Sequence, residues 1–161
     1  MGGMTLGQGR GDLLTSLLDP DQSLWPHHYW VMARAHHGLS TPEVFRTLDQ
    51  LREGGVPAQL SEMERQALCA DADALASVLC NDLTAPALHL YPELATTIHD
   101  ARNAGACAAI LSGSGPTIAV LARNREHADE LAEALRTSSE VSAVLPTSGP
   151  AVGAIVEEEE S

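Results

Sequence analysis

Lysine is absent from this chain of 161 residues, and all nine of its basic residues are arginine. A nucleotide loop of the Gly-x-x-x-x-Gly-Lys-Ser/Thr type depends on that lysine for the phosphates, so it is excluded. Aromatic residues make up 3% of the chain and Phe45 is the only phenylalanine, so the core has to be built from Leu, Ala, Val and Ile. No run of eighteen apolar residues occurs, which excludes a helical membrane span. The opening Met1-Gly2-Gly3 lacks the charged start and apolar stretch of a secretory signal. Positive charge is scarce against 22 acidic residues, and the formal net charge is −13. Such a surface repels nucleic acid and anionic membranes, so neither is expected as a partner, and the acidity reads as a device for solubility.

Paired cysteines are missing too. Cys69, Cys80 and Cys107 are odd in number, form no Cys-x-x-Cys and sit among Ala and Leu. They read as buried free thiols of a reducing, cytoplasmic compartment. His27-His28 and His36-His37 put neighbours on opposite faces of an extended chain, a poor spacing for a shared metal. They read as surface or lining residues, His89 and His99 have no paired spacing, and no metal site is expected. A serine-hydrolase elbow is excluded because Ser112, not glycine, stands two residues before Ser114.

What is present is a chain long enough for one domain with a real core, with 44% apolar residues. Met4 to Gly11 is punctuated by glycine and reads as a short strand and turn. Asp19-Pro20-Asp21 signals a turn. His28 to Ala35 alternates, with Tyr29, Val31 and Ala33 on one face and Trp30 and Met32 on the other, as a strand requires. Thr41 can cap a helix that has Pro42 in its first position, Glu43 at its positive end and Val44, Leu48 and Leu51 along one side. Gly54-Gly55 would end it. Ser61 and Glu64 form a capping box, and Asp71 caps a further helix carrying Leu75, Val78 and Leu79. Pro92 opens another helix that stops at Gly105. Cys107–Leu111 and Thr117–Leu121 read as strands, Asn124 as the cap of a helix from Arg125 to Arg136, and Val141–Leu145 as a strand. A weaker strand is expected over Ala151–Val156, and Glu157–Glu160 as a solvated tail. Without the extra helices the order is β-α-β-β-α-β. The expected fold is therefore α+β, a ferredoxin-like split unit whose antiparallel sheet is covered by helices.

The chemistry concentrates in Leu111-Ser112-Gly113-Ser114-Gly115-Pro116-Thr117. Gly113 and Gly115 can adopt backbone angles closed to other residues and let a ligand approach the main chain. Successive N–H groups in such a loop can form a concavity for an anion. On spacing alone, a tight hairpin whose small residues only serve the turn explains the segment as well.

That segment resembles the third glycine-rich motif of the GHMP small-molecule kinases. Three further segments carry the likeness to the branch of the non-mevalonate isoprenoid pathway. Gly2-Gly3-Met4-Thr5-Leu6-Gly7-Gln8-Gly9-Arg10-Gly11-Asp12 is similar to the strand pair that follows the family's catalytic aspartate. Gly38-Leu39-Ser40-Thr41-Pro42-Glu43-Val44-Phe45 is similar to the segment enclosing the cytidine end of the substrate. Asn81-Asp82-Leu83, followed by Tyr91-Pro92-Glu93-Leu94, is similar to the helical entry to the last motif. Together they cover nearly the whole chain.

The resemblance implies a C-terminal ferredoxin-like domain over residues 25–156, a remnant of an N-terminal kinase domain over 1–24 and an acidic tail over 157–161. It implies transfer of the γ-phosphoryl of ATP, accompanied by Mg2+, to the 2-hydroxyl of 4-diphosphocytidyl-2-C-methyl-D-erythritol. Ser112, Gly113, Ser114, Gly115 and Thr117 would line the place where phosphates and substrate meet. Thr41, Pro42 and Phe45 would shape the cytidine pocket, although Phe45 reads equally as a core anchor. Arg10 reads as a surface arginine that could reach phosphate. The family's lysine strand, its glycine-rich ATP loop and its catalytic aspartate are not in this sequence, so no catalytic residue is expected here. The chain is expected to be inactive without the kinase domain that supplies them. The rival expectation is a ferredoxin-like module that binds a ligand or assembles without catalysis.

Overall fold

The computed structural model describes residues 5–9, 11–17, 26–52 and 60–151. Arg10, the 19–21 turn, the Gly54-Gly55 stop, the acidic tail and all but Ala151 of the strand expected over 151–156 lie outside the described residues.

Local signals placed most of the elements. Strands β1 (Thr5–Gln8) and β2 (Leu13–Ser16) pair antiparallel around a turn at Gly9 and Gly11, and they form a two-stranded sheet of their own. Strand β3 (His28–Ala35) follows, then helices α1 (Thr41–Leu51), α2 (Glu62–Leu68), α3 (Ala72–Val78), α4 (Thr84–Leu90) and α5 (Leu94–Asn103). The chain ends its described part with β4 (Ala108–Leu111), β5 (Thr117–Ala122), α6 (Arg125–Arg136) and β6 (Val141–Gly149).

Helices α2, α3 and α6 each start on one capping side chain. The Ser61 hydroxyl accepts from the Glu64 N–H while the Glu64 carboxylate accepts from the Ser61 N–H, which closes the capping box of α2. The hydrogen bonds from Ser61 hold the Glu64 carboxyl below the ordinary glutamate range. Asp71 accepts from the Ala74 N–H and Asn124 from the His127 N–H, capping α3 and α6. Gly105, at φ +92°, stops α5. Its N–H donates to the Arg102 carbonyl and the Ala106 N–H to the Ala101 carbonyl, a Schellman ending.

The four-stranded sheet has the order β4-β5-β3-β6, with every neighbouring pair antiparallel. This is the ferredoxin-like arrangement expected from the pattern, with α1 to α5 filling the first crossover and α6 the second. Val31, Ala33 and Ala35 of β3 and Ile118, Val120 and Ala122 of β5 point into the main core. There they meet Leu94, Ile98 and Ala101 of α5 and Leu131 and Leu135 of α6.

Several expectations need correcting. Ser40, not Thr41, is the N-cap of α1, so Pro42 is the second helical residue. Helix α4 was not expected. Pro86 sits in its first turn, where the backbone N–H has no partner within the helix and its absence costs nothing. Strand β6 runs past Leu145 to Gly149 because it is an edge strand, where Pro146 is tolerated. Leu51 is exposed rather than packed, and Cys80 is exposed, while Cys69 and Cys107 are partly buried free thiols. Burial pushes both of those thiols above the ordinary cysteine value.

His28 was read as a surface or lining residue; it is buried, and its Nε2 has no hydrogen-bond partner. Burial, aided by the neighbouring His27, lowers its pKa below the ordinary 6.5. A histidine held neutral in the folded state makes the unfolded chain bind more protons as acid is added. Stability from this site is therefore complete above about pH 6.5 and declines as the pH falls below it. Urea midpoints measured from pH 8 to pH 5 should fall in the acid limb for the parent chain. The part of that fall due to His28 should vanish in His28→Phe, and an identical acid limb in both proteins would refute the assignment.

Candidate active-site half

The glycine loop joins β4 to β5. Gly113 and Gly115 have φ of +58° and +82°, in the left-handed region that side chains rarely adopt. The Ser112 N–H donates to the Thr117 carbonyl at 2.8 Å and the Gly115 N–H to the Ser112 carbonyl at 3.0 Å, so the loop folds back on itself. The Gly115-Pro116 peptide bond is cis. A Cβ on Gly115 would lie 2.8 Å from Leu111 Cδ1 and 3.3 Å from Leu39 Cδ1, whereas one on Gly113 would meet open space. Gly115 is thus required by its packing as well as its backbone.

Two groups of residues singled out separately in the sequence meet here. The Thr41 hydroxyl lies 2.8 Å from the Ser114 hydroxyl, across 73 residues of chain. Ser112, Ser114, Gly115 and Thr117 are partly buried and Gly113 is exposed. Pro42 lies in the first turn of α1, and Phe45, one turn further on, is 49% exposed. That exposure rules out Phe45 as a core anchor. Its ring instead borders a cleft of about 390 Å³, lined also by Leu48, Arg52, Asn81, Asp82 and Leu83. Arg52 and Asp82 form an ion pair in the wall of that cleft.

Asn81 was marked only as part of a motif, and the structure gives it a definite task. Its amide NH2 donates to the Leu111 carbonyl and to the Gly113 carbonyl, each at 2.8 Å. Its amide oxygen accepts from the Leu83 N–H at 2.9 Å, at the entry to α4. One side chain therefore ties the helical segment to two points in the first half of the glycine turn. Nothing in local sequence pattern marks such a contact, because its partners are 30 and 32 residues away and are backbone atoms.

Among the described residues, no three of His, Cys, Asp or Glu come together as ligands for a metal ion. No described helix is long and apolar enough to cross a membrane. The cleft offers an aromatic face and an arginine–aspartate pair, and the glycine loop, tied to the first turn of α1, offers hydroxyls. The arrangement is suited to holding and orienting a polar ligand with a flat ring.

Residues 65–141 match the family model "GHMP kinases C terminal". That stretch of the chain carries the family's C-terminal domain. It is 43% identical over 159 residues to 4-diphosphocytidyl-2-C-methyl-D-erythritol kinase of Streptomyces coelicolor, a match covering 97% of this chain and 52% of that protein. The kinase of the same name from Nocardia farcinica is 42% identical over 163 residues, covering 99% of this chain and 52% of the relative. A crystal structure of 4-(cytidine 5'-diphospho)-2C-methyl-D-erythritol kinase superposes with a TM-score of 0.68 at 26% identity, covering 89% of this chain and 48% of that one. The chain thus spans about half the length of the curated relatives it matches.

Proposed function

We propose that this chain is the C-terminal part of an ATP-dependent kinase that phosphorylates the 2-hydroxyl of 4-diphosphocytidyl-2-C-methyl-D-erythritol, in the cytoplasm. The observation that carries the reading is the Thr41–Ser114 contact, which joins the glycine loop to the first turn of the helix that carries Phe45. The sequence likeness to kinases of that name over nearly the whole chain supports it, and the free thiols support the compartment.

In this reading ATP supplies the phosphoryl group and Mg2+ accompanies its phosphates. The residues of this chain hold and orient. Phe45 offers its exposed face to the cytosine ring, with Thr41 and Pro42 fixing the start of the helix that carries it. Ser112, Gly113, Ser114, Gly115 and Thr117 line the place where phosphates and substrate meet, with small side chains that let phosphate oxygens approach the main chain. Phosphoryl transfer rests on such positioning and on charge stabilisation. The charge-stabilising lysine and the catalytic aspartate would come from an N-terminal domain. Residues 1–24 would belong with that domain, which is supported by the separate β1–β2 sheet, residues 25–156 would form the C-terminal domain and residues 157–161 an acidic tail.

Calorimetric titration of the chain with cytidine diphosphate tests the binding half of the proposal. Saturable binding is expected, and Phe45→Ala should weaken it about tenfold, the loss of one aromatic–base stack. Equal affinity in Phe45→Ala would remove the cytidine pocket from this cleft. With Mg-ATP and the cytidyl substrate, these 161 residues should release no ADP. Substrate-dependent release would show that the chain carries its own catalytic groups.

A further inference from the structure

A second cavity lies behind that site, sharing only Cys80 and Asn81 with the Phe45 cleft. It measures about 670 Å³, within the range of small-molecule pockets. It lies along the outer side of β4, between that edge strand and helices α3, α4 and α5. Leu79, Leu88, Ile98 and Ile110 line it together with several alanines, so one part of its floor is apolar, while Asn81, Thr84, His99 and Arg102 make the rest polar.

The charge of its own lining is one-sided. Arg102 is the only formally charged residue among those lining it, and His99 lies one turn earlier on the same helix. Both are exposed, and Arg102 makes no ion pair among the described residues. In a chain of net charge −13, the lining of this cavity carries a guanidinium without an ion pair, and the nearby carboxylate of Asp73 stands at its other side, against Cys107. An apolar floor accommodates a hydrocarbon chain, and a guanidinium with an imidazole nearby accommodates a carboxylate or phosphate head. Asn81 and Cys80 line both this cavity and the Phe45 cleft, so the two share a wall while opening in different places.

We propose that the cavity between β4 and helices α3–α5 is a binding site for a small single-chain anionic amphiphile, its chain over Ile98 and Ile110 and its anionic head on Arg102. The position of Arg102 in the last turn of α5 also favours the helix dipole, but that role calls for no cavity and no apolar floor beside it.

Decanoate is the probe, titrated calorimetrically into the parent chain and two variants. Arg102→Glu reverses the charge at the mouth, and Ala95→Trp puts a large side chain at an exposed position on its wall. Both sites are on the surface, so the fold should be retained. Saturable binding is expected in the parent chain, at least tenfold weaker in Arg102→Glu and lost in Ala95→Trp. Acetate and decanol should each bind at least tenfold more weakly than decanoate, since one lacks the chain and the other the charge. Decanoate binding that survives either substitution, or that acetate or decanol matches, overturns the proposal. So does an absence of saturable binding at millimolar decanoate, which would leave the groove as a seam for another stretch of polypeptide.

Discussion

Gly115→Ala should lower the unfolding free energy by about 2–3 kcal/mol, and Gly113→Ala by only about 1 kcal/mol. Both glycines sit at positive φ, so each substitution carries the cost of forcing an alanine into the left-handed region. The difference lies in what the new methyl group meets. At Gly113 it meets nothing within 4 Å. At Gly115 it meets Leu111 Cδ1 at 2.8 Å and Leu39 Cδ1 at 3.3 Å. Leu111 is 3% exposed and packed into the main core, so it can yield only by pushing on its own neighbours. Overpacking of that kind adds about 1–3 kcal/mol. Urea unfolding of the two variants side by side measures the gap. Equal losses would mean that Leu111 rotates freely and that Gly115 is required by its backbone angle alone.

Replacing Asn81 should cost about 3 kcal/mol. Asn81→Ala removes two donors and one acceptor at once. Gly113 is exposed, so its carbonyl regains a bond from water, while Leu111 is buried and its carbonyl is left without a partner. An orphaned buried acceptor costs about 1–3 kcal/mol, and the loss of the Leu83 contact adds about 1 kcal/mol. Asn81→Asp is the sharper test. It keeps the shape and the acceptor but sets a carboxylate against two carbonyl oxygens, so it should be worse than alanine at neutral pH. Those oxygens would raise the folded-state pKa of the new carboxyl. A group whose folded pKa is raised stabilises below its unfolded pKa and loses that contribution as pH rises, so Asn81→Asp should recover in acid relative to Asn81→Ala. If the two variants run parallel across pH, the amide does not make these bonds in solution.

The ease with which each element could be read follows from where its cause lies. Ser61 with Glu64, Asp71 and Asn124 each act on N–H groups three residues away, so they are visible in a short window of sequence. Alternation in β3 and the Gly-Ser turn between β4 and β5 are equally local, and with the order of elements they suffice for the sheet topology. Helix α4 escaped because it has only seven residues and contains Pro86, which reads as a breaker unless its place in the first turn is known. Leu51 escaped because helical spacing tells which residues share a side, not whether anything covers that side. The loop at 111–117 stands out in the sequence as a candidate site, and Phe45 as one of two possibilities. The Thr41–Ser114 contact and the Asn81 brace were not, because both are tertiary contacts between polar groups that carry no periodic signal.

The Asn81 brace has a dynamic consequence. A glycine-rich turn has little stiffness of its own, and here its shape is borrowed from a side chain on the segment between α3 and α4. The loop can therefore leave its conformation only when that segment moves, and the segment cannot unravel without freeing the loop. In native-state hydrogen exchange the Leu83 amide, which donates to Asn81, and the Gly115 amide, held inside the turn, should open with one common free energy, as members of a single cooperative unit. The turn that would face the phosphates is in this sense as rigid as the helical entry behind it, although its own sequence is among the most flexible in the chain.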